Sequence, residues 1–382
     1  MINDNVVQRI IDAAKIEEVV GDFVNLKKKG ARYIGLCPFH DDRHATNFVV
    51  YPKKNCYRCF ACDAKGDAVK FLMEGQKMSF ADSIRWLGKK YSIETDGVNV
   101  DTATYKRELP PPLPTLYLPD KLVRLKERFN DKCPPRNNFQ LWVENLPWNI
   151  HERNRIQETF IDYHFGTSKW GDAIFWQIDE NGGVRDGKIM KYKADGHRDK
   201  DNRWSISWVT SRLFRHGYYD EDKWEVRRCL FGLHLLTTYP HAEVHIVESE
   251  KTAIFCSIFF GEPEKHLWMA TAGKSNLTKE LLEPLIQARR TIALHPDKDG
   301  CDEWRERMNN IGYQRAYINN SVLTFQWKEE DGDKADMADV LERILYERRK
   351  GKTMKVGEVM SLVPAIKTLI SKEGDKDERG TR

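Results

Sequence analysis

No stretch of the 382 residues approaches the run of about eighteen apolar positions that a membrane-spanning helix needs. The start, Met1-Ile-Asn-Asp, lacks the basic and then apolar order of a secretory signal, so a cytoplasmic location without a membrane partner is expected. Neither sign of charge dominates. Lys and Arg number 62 against 58 Asp and Glu, a formal net charge of +4, so any contact with nucleic acid has to come from local patches. There is no internal repeat, and no nucleotide-binding P-loop: Ala272-Gly-Lys-Ser275 has the right ending, but position 268 is Trp where Gly-x4-Gly-Lys-Ser requires glycine. An ATP-driven helicase engine is therefore not expected in this polypeptide.

What is present is a paired set of metal ligands. Of the eight cysteines, Cys133, Cys229, Cys256 and Cys301 are scattered singly, which suits a reducing compartment better than a disulfide framework. The others gather in Cys37-x2-His40, eighteen residues, then Cys59-x2-Cys62, the spacing of a zinc ribbon closing one tetrahedral Zn²⁺ site. Each x2 pair can sit on a tight knuckle, and the intervening residues suffice for a hairpin that brings the knuckles together. Tyr33 to Leu36, Phe48 to Tyr51 and Tyr57 read as the flanking strands. His44 and Cys56 are alternative candidates for a ligand position, and His40 can also be read as a turn residue. Cys56 lies three residues before Cys59 and reads as a strand neighbour of the Cys59/Cys62 pair.

Apolar Val6, Val7, Ile10, Ile11 and Ala14 fall at helical spacing, Asp67 to Glu74 reads as a helix, and Ser79 with Asp82 caps another through Ile84, Trp86 and Leu87. Pro110-Pro-Pro-Leu-Pro114 marks a semi-extended tether. From about Asn138 to Trp208 short aromatic strands and turns alternate, with a hairpin of Ala173–Ile178 and Gly187–Lys193 about an Asn181-Gly-Gly turn, presenting Arg185, Lys188, Lys191 and Lys193. Trp170, Trp176, Trp204 and Trp208 in this stretch are either core or base-stacking surfaces, and packing preference favours core. Beyond Leu230 apolar strands alternate with helices: Val244–Val247, His266–Ala270 and Thr291–Leu294 are read as buried strands of a mainly parallel sheet. The expected fold is thus multidomain α+β. A zinc-binding domain spans residues 1–92, a proline-rich linker 93–137, a mixed α/β middle lobe 138–230, an α/β domain with a mainly parallel sheet 231–346, and a helix or tail 347–382.

Carboxylates stand where the buried strands end. Glu248 follows the first, Asp297 and Asp299 follow the third in His-Pro-Asp-Lys-Asp-Gly, and Asp336 with Asp339 lies further on. The carboxyl ends of neighbouring parallel strands open on one crevice, so these groups can share a site in which Mg²⁺ or Mn²⁺ offsets their repulsion. Acidic residues at strand ends are also common as plain solvated loops, and spacing alone does not decide between the two. Lys251 and Lys274, near the same ends, are candidate phosphate contacts or ordinary solvated lysines.

The residues around the cysteines, Glu18 to His40 and Tyr57 to Leu72, resemble the CHC2 zinc finger of bacterial-type DNA primases. Val247-Glu-Ser-Glu-Lys-Thr-Ala253, Thr271-Ala-Gly-Lys-Ser-Asn-Leu277 and His295-Pro-Asp-Lys-Asp-Gly300 resemble the Toprim domain of primases, type II topoisomerases and some nucleases. Tyr163 to Ser168 and Phe175 to Lys193 resemble the lobe before Toprim in primase-like proteins of mobile elements. The resemblance implies a structural Zn²⁺, and a role for the zinc module in reading single-stranded template. It also implies Glu248 as acid, base or metal-bound group, Asp297 and Asp299 as holders of divalent metal, and Asp336 and Asp339 as further candidates. Candidate template or nucleotide contacts are Lys251, Lys274, Lys191, Lys193 and Arg58, the last on an edge with Lys27, Lys28, Lys29, Arg32, Lys53 and Lys54; a solvated edge-strand face explains Lys191 and Lys193 equally well, and a solubilising face explains the basic edge of the zinc module.

The expected activity is synthesis of RNA primers on single-stranded DNA from ribonucleoside triphosphates by two-metal nucleotidyl transfer, for a plasmid or conjugative element. A separate replicative helicase is a candidate partner, although the stretch after about Ala338 is short for a helicase-interaction domain. Rival expectations are a Toprim nuclease or nickase using the same metals, and a non-catalytic protein that binds single-stranded DNA. His295 and Pro296 depart from the small or hydrophobic approach that many primases have before their Asp-x-Asp.

Overall fold

A computed structural model describes residues 4–42, 47–59, 61–62, 64–94, 113–124, 136–202, 204–221 and 223–350. His44, Cys133, most of the expected linker and all of the expected tail beyond residue 350 lie outside the described residues. The chain divides into two compact units, Met1–Leu113 and Pro114–Arg382.

In the first unit, helices α1 (Asp4–Ala13) and α2 (Ile16–Gly21) precede five short strands: β1 (Lys27–Lys29), β2 (Arg32–Gly35), β3 (Phe48–Tyr51), β4 (Cys56–Cys59) and β5 (Lys65–Gly66). The strands pair antiparallel in sequence order, with Val49 opposite Arg58 and Phe48 opposite Cys59. Helices α3 (Ala68–Gly75) and α4 (Phe80–Lys90) follow. The side chain of Asp67 accepts from the Lys70 amide at 2.9 Å and Ser79 Oγ from the Asp82 amide at 3.1 Å, so each helix begins where a cap satisfies its first free amides. The core joins Ile10, Ile11, Val19 and Val20 to Phe48, Tyr57, Phe71 and Ile84. Phe39 from the first knuckle stacks on Tyr57 at 5.3 Å and so fastens the knuckle to that core.

The second unit opens with α5 (Lys121–Arg124), α6 (Asn138–Asn145) and α7 (Ile150–Asp162). The two helices within 138–162 correct the expectation of strands and turns from Asn138 onward. Asn137 caps α6, and Asn149 forms a full capping box with Glu152 at the start of α7. The antiparallel sheet that follows is β6 (Gly166–Thr167), β7 (Ala173–Ile178), β8 (Val184–Met190) and β9 (Ile206–Trp208). The β7–β8 hairpin carries a bulge at Gln177/Ile178, and β8 starts before and ends before the expected Gly187–Lys193.

After α8 (Val209–Arg215) and α9 (Leu235–Thr238) comes a parallel sheet of order β11-β10-β12-β13, made of β10 (Glu243–Val247), β11 (His266–Ala270), β12 (Ile292–His295) and β13 (Ala316–Ile318). It is interleaved with α10 (Glu250–Phe260), α11 (Lys279–Gln287), α12 (Cys301–Ile311) and α13 (Ser321–Gln326), and α14 (Met337–Arg349) closes the described chain. Burial on both faces explains the near-continuous apolar runs of β10, β11 and β12. One hydrophobic core runs from Phe139 and Phe175 through Ile246, Phe255 and Leu294 to Leu341, so the middle stretch and the parallel sheet bury their surfaces together. Among the described residues no helix is long and apolar enough to cross a membrane.

Candidate functional site

The knuckles meet as the cysteine spacing requires. One ligand atom from each of Cys37, His40, Cys59 and Cys62 lies within 4.8 Å of the others. Cys37 Sγ stands 3.8 Å from Cys62 Sγ, and Cys59 Sγ 3.9 Å from His40 Nδ1. A tetrahedron with Zn–S bonds of about 2.3 Å has edges of about 3.8 Å, so the donors already stand at ligand separation. Asp42, which the sequence reading passed over, organises the first knuckle. Its Oδ2 accepts from the Cys37 amide at 2.9 Å, and its Oδ1 lies 3.8 Å from His40 Nε2, which turns Nδ1 toward the sulfurs. Proton sharing between Cys37 and Cys59 pulls the Cys59 thiol down to about 5 and pushes Cys37 up. Cys56 sits on β4 opposite Tyr51, outside the ligand set. The site is a structural zinc site with three thiolates and one imidazole.

Arg58 is on β4 between Val49 and Lys65, and the β1 lysines Lys27, Lys28 and Lys29 are all exposed. Lys53 and Lys54 fall in a short 3-10 turn after β3.

In the second unit the parallel strands deliver their carboxylates to one end of the sheet. Glu248 directly follows β10, and its Oε1 accepts from the Asp297 amide at 3.2 Å. A Cβ on Gly300 would fall 2.5 Å from that same oxygen, so any larger residue at the close of His-Pro-Asp-Lys-Asp-Gly must displace the tip of Glu248. Lys274, after β11, donates to the Asp299 carbonyl at 2.7 Å and lies 3.3 Å from its carboxylate. Asp336 and Asp339 form the capping box of α14, and Thr252 Oγ1 donates to Asp336 Oδ2 at 2.8 Å. The Lys298 amide bonds the Ala335 carbonyl at 3.1 Å, tying the Asp297 loop to the approach to Asp336. Lys251 reaches Asp339 at 3.7 Å while lying 4.7 Å from the centre of the Trp142 ring.

Electrostatics register this convergence. Burial, then Asp336, Glu248, Asp299 and Asp339 in that order, push the Asp297 carboxyl up to about 9. Burial raises Glu248 to about 7, and burial with Asp336 raises Asp339. Among the described residues no three of these carboxylates bring their oxygens within 4.8 Å of one another. A hard cation held there would complete its coordination with water and phosphate oxygens, which is the habit of Mg²⁺.

The hairpin lysines do not form an open stripe. Arg185 pairs with Asp179 at 2.6 Å, and Lys191 and Lys193, which follow the end of β8, face Asp172 at 3.5 Å and Asp201 at 2.7 Å. Lys188 is buried, donating to Glu250 Oε2 at 2.8 Å and to the Ala272 carbonyl at 3.0 Å, beside the loop that carries Lys274. Only the glutamate two positions after Glu248 could have signalled that partnership. Trp176 is core, whereas Trp170 and Trp204 are exposed beside Arg212 and Arg215, with guanidinium carbons 5.2 and 4.9 Å from the ring centres. Trp208 is half-buried under Arg228.

Residues 2–103 match the family model of the CHC2 zinc finger, and residues 137–298 match that of a domain of unknown function, DUF6371. A DNA primase of Synechocystis is 43% identical over 93 residues, which cover 24% of this chain and 14% of that protein. A DNA primase of Helicobacter pylori is 39% identical over 93 residues, covering 24% of this chain and 16% of that protein. These matched stretches are therefore about a sixth or less of the relatives' own length. The crystal structure of the zinc-binding and RNA polymerase domains of Aquifex aeolicus primase aligns with 97% of this chain and 89% of its own at 15% identity, with a TM-score of 0.36, too low to establish a shared fold.

Proposed function

We propose that this chain is a DNA primase that joins ribonucleotides on single-stranded DNA in the carboxylate pocket at the end of the parallel sheet. The observation that carries the reading is the convergence on Asp297: Glu248 accepts from its amide, its loop is tied through the Lys298 amide to the approach to Asp336, and burial first, then Asp336, Glu248, Asp299 and Asp339, raise its carboxyl. Lys274 and Lys251 offset only part of this acid, a crowding that suits a divalent cation, and oxygen donors of this kind suit Mg²⁺ or Mn²⁺. Asp297 and Asp299, with Asp336 and Asp339, would hold it. When bound there, such an ion would neutralise triphosphate charge and lower the pKa of an attacking hydroxyl.

The chain's own groups supply the rest. Glu248, fixed through Oε1 and raised to about 7, can take or hold a proton near neutral pH. Lys274 and Lys251, each already near a pocket carboxylate, can turn to phosphate oxygens. Exposed Trp170 and Trp204, each beside an arginine, offer template bases a stacking surface, and the β1 lysines and Arg58 of the zinc unit offer phosphate contacts. The match of residues 2–103 to the CHC2 zinc finger, with the 93-residue similarity to DNA primases, supports template reading as the role of this unit. The resemblance of the middle stretch to primase-like proteins of mobile elements supports a place on a plasmid or conjugative element, in the cytoplasm and beside a separate helicase.

The test is primer synthesis on single-stranded templates with ribonucleotides and Mg²⁺. Asp297→Ala and Asp299→Ala are expected to lose product by at least about a hundredfold while circular dichroism is unchanged. Normal synthesis by both variants would reject the assignment. Cleavage of the labelled strand without ribonucleotides would turn the reading to a nuclease, and strand binding with no product at any metal concentration to a non-catalytic binder.

A further inference from the structure

The same sheet carries a second cluster of ligand-type side chains at its opposite end. Glu243 and His266 are the first residues of β10 and β11 and stand opposite each other in parallel register. His245, two positions after Glu243, shares its face, because strand side chains alternate. One ligand atom from each of Glu243, His245 and His266 lies within 4.8 Å of the others. His245 Nε2 is 3.0 Å from His266 Nδ1 and 4.0 Å from Glu243 Oε2. The first residues of β10 and β11 are about 15 Å of strand from the Glu248 end, so the carboxylate pocket does not account for them.

The surroundings are those of ligands held in place. His245 is buried and stacked on Trp268 at 4.5 Å, and its Nδ1 lies 2.9 Å from His295 Nε2. With the proton on Nδ1 donated to His295, His245 Nε2 presents a lone pair toward His266 and Glu243. In metal sites a ligating imidazole characteristically gives its other N–H to such a partner. Neutral His295 has at Nε2 the lone pair that accepts this hydrogen bond. Tyr317 donates to Glu243 Oε1 at 3.0 Å, fixing one carboxylate oxygen and leaving Oε2 on the histidine side. Glu243 and His266 are only half-buried, so water can reach a remaining position. The histidine before Pro296, which the fold of the carboxylate pocket does not explain, finds its use here.

The geometry points to a second zinc site, formed by Glu243, His245 and His266 with a water completing the tetrahedron, and with His295 and Tyr317 as positioning residues. Two imidazoles and one carboxylate are a known three-ligand donor set for zinc, and they favour it over Mg²⁺, which prefers oxygen. The expected consequence is a staple across β10 and β11 that, through His245 and His295, also holds the end of β12 leading to Asp297.

The experiment is zinc content per chain of the full-length protein after gel filtration, together with the absorption spectrum of the Co²⁺-substituted form. The wild type is expected to hold a second zinc beyond that of the thiolate site. His266→Ala should lose that second equivalent and keep the sulfur-to-cobalt charge-transfer band, whereas Cys59→Ser should lose the band and keep the second equivalent. Glu243→Gln, which keeps the side-chain shape, should weaken the second equivalent by about 10-fold or more, and it stands in for His266→Ala if that variant misfolds. A wild type with one zinc per chain, or undiminished zinc in both His266→Ala and Glu243→Gln, would overturn the proposal.

Discussion

Asp297 is the pocket carboxyl whose charge the fold opposes most. Its folded pKa of about 9 stands above the ordinary 3.8, and that of Glu248, about 7, above 4.5. At pH below both ordinary values, these two groups hold the same protons in the folded and the unfolded chain. As pH rises the unfolded chain ionises first, so stability falls until the folded groups ionise too, near 7 for Glu248 and near 9 for Asp297. In chelator, the melting temperature of the second unit should therefore drop steadily between about pH 5 and 9. Added Mg²⁺ should raise it by an amount that grows with pH, because binding releases the retained protons. Asp297→Asn should flatten both trends, and differential scanning calorimetry at several pH values reads the outcome. A flat profile for the wild type would mean that the pocket carboxylates ionise normally. Gly300 offers a second test at this scale. A methyl there meets the tip of Glu248, which can swing aside, so Gly300→Ala is expected to leave melting nearly unchanged while primer synthesis falls by about a hundredfold from misplacement of that carboxylate.

At the scale of elements, the pocket depends on how β8, α10 and the loop after β11 are held together, and Lys188 does much of this. Its ammonium, 9% exposed, sits between Glu250, 1% exposed, and the Ala272 carbonyl, so removing it strands a buried carboxylate. Lys188→Met should cost about 3–5 kcal/mol in urea unfolding, and pairing it with Glu250→Gln should recover much of that, since the loss comes mainly from the orphaned charge. No recovery in the double variant would show that the Ala272 contact carries the effect. This element was hard to read from sequence, because lysine is usually exposed and its partner lies 62 residues away. The parallel strands were legible for the opposite reason: burial on both faces makes β10 and β12 short apolar runs, and their carboxyl ends then locate Glu248 and Asp297. Helices α6 and α7 were not. Phe139, Leu141, Trp142 and Val143 are aromatic and branched enough to suggest a strand, and the capping residues Asn137 and Asn149 with Glu152 were the signal to weigh against them. The cysteine knuckles were legible through spacing alone, while Asp42, which orients one of them, has no pattern of its own.

At the scale of the whole molecule the hydrophobic clusters respect the division into two units. Among the described residues, the cluster built on Phe48, Tyr57 and Phe71 draws only on the first unit, and those built on Phe255 and on Trp176 draw only on the second. Cooperative unfolding follows shared burial, so the two units should melt as separate transitions with separate ligands. The first has a small core, and its metal closes a sheet of strands two to four residues long, so zinc is expected to supply a large part of its folding free energy. A strong thiol-competing chelator, or Cys59→Ser, should abolish the first transition and lower single-strand affinity, while the second transition keeps its response to Mg²⁺. Asp297→Asn should do the reverse, leaving the first transition and single-strand binding in place while the Mg²⁺ response disappears. Calorimetry with fluorescence anisotropy on a labelled single strand checks both arms. One merged transition that moves with either metal would show that the units are energetically coupled, and template capture and chemistry would then have to be treated as properties of one folded body.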